Sequence, residues 1–116
     1  MEALANKETV TSHELLEQIN IFRKQEGKSK LEHYDLKKII RKELSKDFNA
    51  GKISCIKQKD SRGREQEIYI LTFSQGKRVL LRESPTVRQA VIEYIDKLEN
   101  AIIQLQEQKI TDNKEA

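Results

Sequence analysis

The spacing of apolar residues changes at Asn49-Ala50-Gly51, and that change restricts the fold more than any other feature. Before it, Leu36, Ile39, Ile40, Leu44 and Phe48 recur at helical spacing, so they line one side of a cylinder. After it, KISCIKQK and EIYILTF are rich in β-forming residues and are separated by Asp60-Ser61-Arg62-Gly63. Gly63 can take the positive φ that a tight hairpin turn requires. In the second strand Ile68 and Ile70 point to one face and Tyr69 and Leu71 to the other, which implies cover on both sides for part of its length. The fold class is therefore α+β, a helix followed by a hairpin.

Helices are expected on both sides of this unit. Thr11-Ser12-His13-Glu14 has the form of a capping box, with Leu15, Leu16, Ile19 and Phe22 as the buried stripe and Gly27 closing the helix. A polar connector, Gln25 to Glu32, leads to the second helix, which begins near His33 or Asp35 and runs to Phe48. Thr72-Phe73-Ser74-Gln75 repeats the capping chemistry and starts a short helix that carries Val79, Leu80 and Leu81 onto the sheet. Ser84-Pro85 opens a long one, reaching about Lys109, with proline where its missing N–H costs nothing. Along it Val91, Ile95, Leu98, Ile102 and Leu105 alternate spacings of four and three, the seam of a coiled coil. Two readings stand side by side: a dimerisation surface, or a helix whose first half packs on the domain while its second half simply extends. Residues 1–10 form a loose arm whose Glu8 to Thr11 could add a strand to a sheet edge. Residues 11–99 form the domain, and 100–116 a helical extension ending in a polar tail from Thr111.

With 116 residues, one core is affordable and two are not. No apolar run approaches the roughly 20 residues of a bilayer span, and the first ten residues lack the pattern of a signal peptide, so the expected location is the cytoplasm and no membrane is involved. One cysteine, Cys55, excludes an internal disulfide and is expected to be a small packed thiol. His13 and His33 lie in different elements without a Cys or carboxylate cluster at ligand spacing, and Ser12-His13 lacks a third catalytic group. No phosphate-binding or dinucleotide fingerprint occurs. The expectation is a non-enzyme without metal or cofactor.

Charge points to a partner. Lys37, Lys38, Arg41, Lys42 and Lys46, set against Glu43 and Asp47, leave the 36–48 stretch at +3, the formal charge of the whole chain. Lys57, Lys59, Arg62 and Arg64 gather at or near the hairpin tip. A basic amphipathic helix followed by a basic hairpin has the order of a winged helix-turn-helix, in which the helix enters the major groove of duplex DNA and the hairpin lies on the backbone or an adjacent groove. His33, Tyr34, Lys37, Lys38, Arg41 and Lys42 on the helix, with Lys57, Lys59, Arg62 and Arg64 on the hairpin, are the expected DNA-binding residues. His33 and Tyr34 have capping or packing as an alternative role.

The runs TSHELLEQINIFRKQEG, LEHYDLKKIIRKEL, DSRGREQEIYILT and RESPTVRQAVIEYIDKLE resemble, in order and spacing, the N-terminal domain of phage-encoded regulators of the Rha and anti-repressor type. The similarity covers roughly residues 9 to 99. Its most specific part is Gly63-Arg64-Glu65 followed by Tyr69, Leu71 and Thr72, supported by Ser84 to Arg88 and Leu98-Glu99. It implies a winged-helix-like DNA-binding domain of a phage or prophage regulator, with double-stranded DNA, a repressor protein, or both as partners. The longer connector Gln25 to Glu32 departs from the compact pattern. A second class of function stays open beside the first, a protein-interaction module that docks on a repressor or host regulator through the C-terminal helix without nucleic acid.

Overall fold

The computed structural model describes residues 9–115, with side chains as far as Gln106. Among these residues the fold is α+β, with five helices and a three-stranded antiparallel sheet. Strand β1 (Thr9–Thr11) leads directly into α1 (Ser12–Gln25); α2 (His33–Glu43) and the short α3 (Ser45–Asn49) follow. The hairpin comprises β2 (Ser54–Lys59) and β3 (Glu65–Thr72); α4 (Phe73–Val79), a 3-10 turn (Leu80–Arg82) and α5 (Pro85–Glu115) complete the chain. The sheet order is β1-β3-β2, with β3 central.

Each helix start and turn follows from local chemistry. Glu14 N–H donates to the Thr11 hydroxyl at 3.1 Å while Thr11 N–H donates to the Glu14 carboxylate at 2.8 Å, so two orphan donors are satisfied. Gly27 and Gly63 adopt φ of 72° and 80°, the left-handed region that glycine enters without penalty. Thr72 and Gln75 form the second capping box, and the Ser84 hydroxyl accepts from Val87 N–H to open α5. Gly76 lies within α4 because a Cβ there would come within 3.2 Å of Val10 and 3.6 Å of Ile95. Its bare backbone lets α4 approach β1 and α5 together.

One core joins all layers. Val10, Leu15, Ile19, Leu36, Ile40, Leu44, Leu71, Val87, Val91 and Ile95 are all essentially inaccessible. Leu31, in the connector, is drawn in by Asn20, whose side-chain amide accepts from Leu31 N–H at 2.8 Å and donates to Leu31 C=O at 3.0 Å. On the far side the buried Glu83 carboxylate receives Arg23 through two bonds, at 2.8 and 2.9 Å, and Arg23 also donates to Ser29 C=O. The hydrogen bonds to Glu83 outweigh desolvation and raise the Arg23 pKa above its ordinary value.

Several expectations need correction. The arm is shorter than expected, because the edge strand allowed for at its end is present: Thr9 and Val10 pair with Thr72 and Leu71, while residues 1–8 lie outside the described residues. The second helix is not continuous to Phe48, because Leu44 turns to φ −113° and ψ 31° and starts a separate short helix. Cys55 is exposed on β2, whose outer edge has no neighbouring strand, and Leu81 is 63% exposed while Val79 and Leu80 pack as expected. Helix α5 continues through Thr111 to Glu115 where a polar tail was expected. Val91 and Ile95 are sealed in the chain's own core, which withdraws them from any intermolecular seam; Leu98 and Ile102 pack on the core's edge, and only Leu105, 65% exposed, is open. No helix among the described residues is long and apolar enough to cross a membrane.

Replacing Glu83 by Gln should lower stability by about 2–3 kcal/mol, because a half-broken pair leaves the Arg23 guanidinium without its counter-charge. Urea unfolding of the two proteins measures it as a shift in midpoint at constant slope.

Candidate nucleic-acid interface

Strand β1 reaches only as far as Ile70 along the edge of β3. Beyond that point two side chains take over the hydrogen bonding that a strand would have supplied. The Ser12 hydroxyl accepts Tyr69 N–H at 3.1 Å, and Lys37 Nζ donates to Glu67 C=O at 3.3 Å. Ser12 is fully buried, and its hydroxyl also lies 2.9 Å from His33 Nε2. The serine oxygen accepts from Tyr69, and the imidazole tautomer decides which of Ser12 and His33 donates to the other. The His33 ring meets His13 edge-to-face at 4.8 Å, and His13 Nε2 is 3.2 Å from the Gln66 amide. The first turn of α2 is thereby tied to α1 and to the hairpin.

A second tie lies two turns further on. Arg41 Nη1 donates to the Tyr69 hydroxyl at 2.6 Å, and the Tyr69 ring, 2% exposed, stands edge-to-face on Phe48 at 5.0 Å. The hairpin register pairs Cys55 with Tyr69, Lys57 with Glu67 and Lys59 with Glu65. Directly opposed residues share a sheet face, so Lys57 and Lys59 project on the same face as Tyr69, toward which Arg41 reaches. On the outer ridge of α2, Tyr34 is 65% exposed, with Lys38 Nζ 5.0 Å from its ring centroid, and Lys42 is exposed beyond. The tip is ordered by Asp60, whose carboxylate accepts from the backbone N–H groups of Arg62 and Arg64 and from Arg64 Nε. Those bonds, that of the Arg64 N–H first, hold the Asp60 carboxyl below the usual carboxylate range.

The expected site residues therefore divide by role. Tyr34, Lys38, Lys42, Lys57, Lys59 and Arg62 are exposed on α2 and the hairpin. Lys37 and Arg41 fasten those two elements together while still reaching the surface. Arg64 is 70% exposed but ion-paired to Asp60 at 3.1 Å. His33 lies 2.9 Å from the Ser12 hydroxyl, a contact that agrees with its alternative capping or packing role. Ser12 and Tyr69 were missed as positioning groups, since a serine inside a capping box and a tyrosine inside a strand carry no sequence signal of what lies opposite.

Among the described residues some cations are ion-paired and others, on several elements including Lys24, Lys30, Lys46, Lys52, Arg88 and Lys97, are not. Arg23, Lys77, Arg78 and Arg82 are matched to Glu83, Asp96, Asp47 and Glu43. Among the described residues Lys37, Lys38, Arg41, Lys42, Lys57, Lys59 and Arg62 make no ion pair, although Glu65 and Glu67 face Lys59 and Lys57 across the hairpin. The described residues contain no group of three or more His, Cys, Asp or Glu able to hold a metal ion. No protein-family model matches the chain, and no curated protein or solved structure matches it.

Burial first, then the charges of His13 and Lys37, lower the His33 pKa below its ordinary value. The unfolded chain then binds that proton more readily than the folded one, so stability should rise with pH from the lowered pKa to the ordinary one near 6.5 and level off above it. His33→Gln should flatten this rise, as read by urea unfolding at pH 5 and pH 7.5.

Proposed function

We propose that the chain is a double-stranded-DNA-binding regulator of winged-helix type, in which α2 enters the major groove and the hairpin follows the backbone. One observation carries this reading: α2 and the hairpin, hydrogen-bonded to each other through Lys37 to Glu67 and Arg41 to Tyr69, together carry seven cations that make no ion pair among the described residues. Eight cations on α2 and the hairpin stand against Asp35, Glu43, Asp60, Glu65 and Glu67, an excess of three, equal to the formal charge of +3 for the whole chain. Lys38, Lys42, Lys57, Lys59 and Arg62 neutralise phosphates; Arg41, with Tyr34 beside it on the ridge, contacts base edges. The resemblance to phage regulators of the Rha and anti-repressor type agrees with this reading and adds a repressor protein as a second partner.

A protein-docking reading has one observation of its own, the exposure of Ile103 and Leu105 where α5 runs past the body. Removing residues 103–116 separates the two. Loss of repressor capture by a chain that binds no duplex favours docking; duplex binding that survives the truncation, with weaker affinity, agrees with the first reading.

Affinity for a random duplex should fall steeply between 50 and 200 mM salt, on the order of a hundredfold or more for several phosphate contacts. Lys38→Gln or Lys57→Gln should each reduce the salt slope by about one unit, without changing sequence preference. Fluorescence anisotropy at several salt concentrations measures both. Weak binding with a flat salt response would remove this function.

A further inference from the structure

The Arg41–Tyr69 contact raises a question that phosphate binding does not answer. An exposed arginine that only neutralises a backbone gains nothing from a fixed rotamer, because a mobile cation finds phosphate oxygens equally well. Yet Arg41 is tethered by a hydrogen bond of 2.6 Å to a hydroxyl whose ring is 2% exposed and cannot move. Tyr69 is held from three directions. Its ring stands on Phe48, its N–H is taken by Ser12, and its strand is flanked by β2. One guanidinium N–H is committed to Tyr69, and the others remain for a planar acceptor pair such as O6 and N7 of guanine.

We infer that Tyr69 is a positioning residue for base recognition: it touches no DNA, and it sets sequence preference by holding the Arg41 guanidinium in one orientation. This rests on the DNA-binding reading above and adds to it the group that makes α2 selective. Fixing a long side chain before binding removes an ordering cost that otherwise falls on the complex, and for one such side chain the gain corresponds to about threefold to tenfold in affinity. That gain appears only at the base pair Arg41 contacts. Random sequence, bound through phosphates, is indifferent to it.

The test uses the full chain and Tyr69→Phe, which keeps the ring on Phe48 and the N–H to Ser12 while deleting the hydroxyl. Each protein is used to select from a randomised duplex library, and affinities are then measured for the selected site and for random duplex. The expected result is unchanged affinity and salt slope on random duplex, with the preference for one base pair reduced about threefold to tenfold. Arg41→Lys should reproduce that loss, and Tyr69→Phe should add nothing to Arg41→Ala. An unchanged preference in Tyr69→Phe overturns the inference while leaving DNA binding intact. Equal weakening on every duplex also overturns it, since that marks a structural role alone. If the unmodified protein binds no duplex, the underlying reading falls first and the inference with it.

Discussion

The Ser12 hydroxyl is the bond on which the arrangement of this domain turns. It completes the edge of β3 where β1 stops, and it faces the first turn of α2 through His33. Because Ser12 is fully buried, each of these bonds is made in a low-dielectric setting where an unsatisfied partner would cost about 1–3 kcal/mol. One small side chain therefore fixes the sheet, α1 and α2 with respect to one another. Lys37 and Arg41 extend the same attachment along α2, so helix and hairpin move as one piece.

What could be anticipated from the residues was whatever depended on neighbours in sequence. The capping boxes at Thr11 and Thr72, the left-handed glycines at 27 and 63 and the Ser84-Pro85 start are short-range chemistry, and all are present. The cover on both faces of β3 was legible too, because Ile68 and Tyr69 alternate without a polar break. The break at Leu44 was not, since Leu36, Ile40, Leu44 and Phe48 keep helical spacing straight through it, and both Leu44 N–H and Phe48 N–H retain partners four residues back. For α5 the periodicity left two readings open, a dimer seam or a stripe packed on the chain's own domain, and Val91 and Ile95 are buried in the chain's own core while Leu105 is exposed.

The candidate interface divides along the same line. Exposed cations on α2 and the hairpin could be named from charge pattern alone, because solvent-facing residues need no partner. The groups that position them could not, because Ser12 meets Tyr69 and Tyr69 meets Arg41 across 57 and 28 positions of sequence. A histidine at the head of a basic helix reads as a ligand contact or as a capping and packing group, and its nearness to a serine 21 positions earlier is what the sequence does not display. Long-range pairing also left Arg23 and Glu83 unanticipated, 60 residues apart and bonded twice.

The pairing of Thr9 with Thr72 has a further consequence for how the molecule comes into being. An emerging chain can form α1 and α2 from local signals, but Val10 has no strand to meet until β3 has left the ribosome. The sheet therefore closes across the longest loop it contains, an entropic delay that places folding among mixed α/β domains and behind helical bundles. Until then β1 has no edge to pair with.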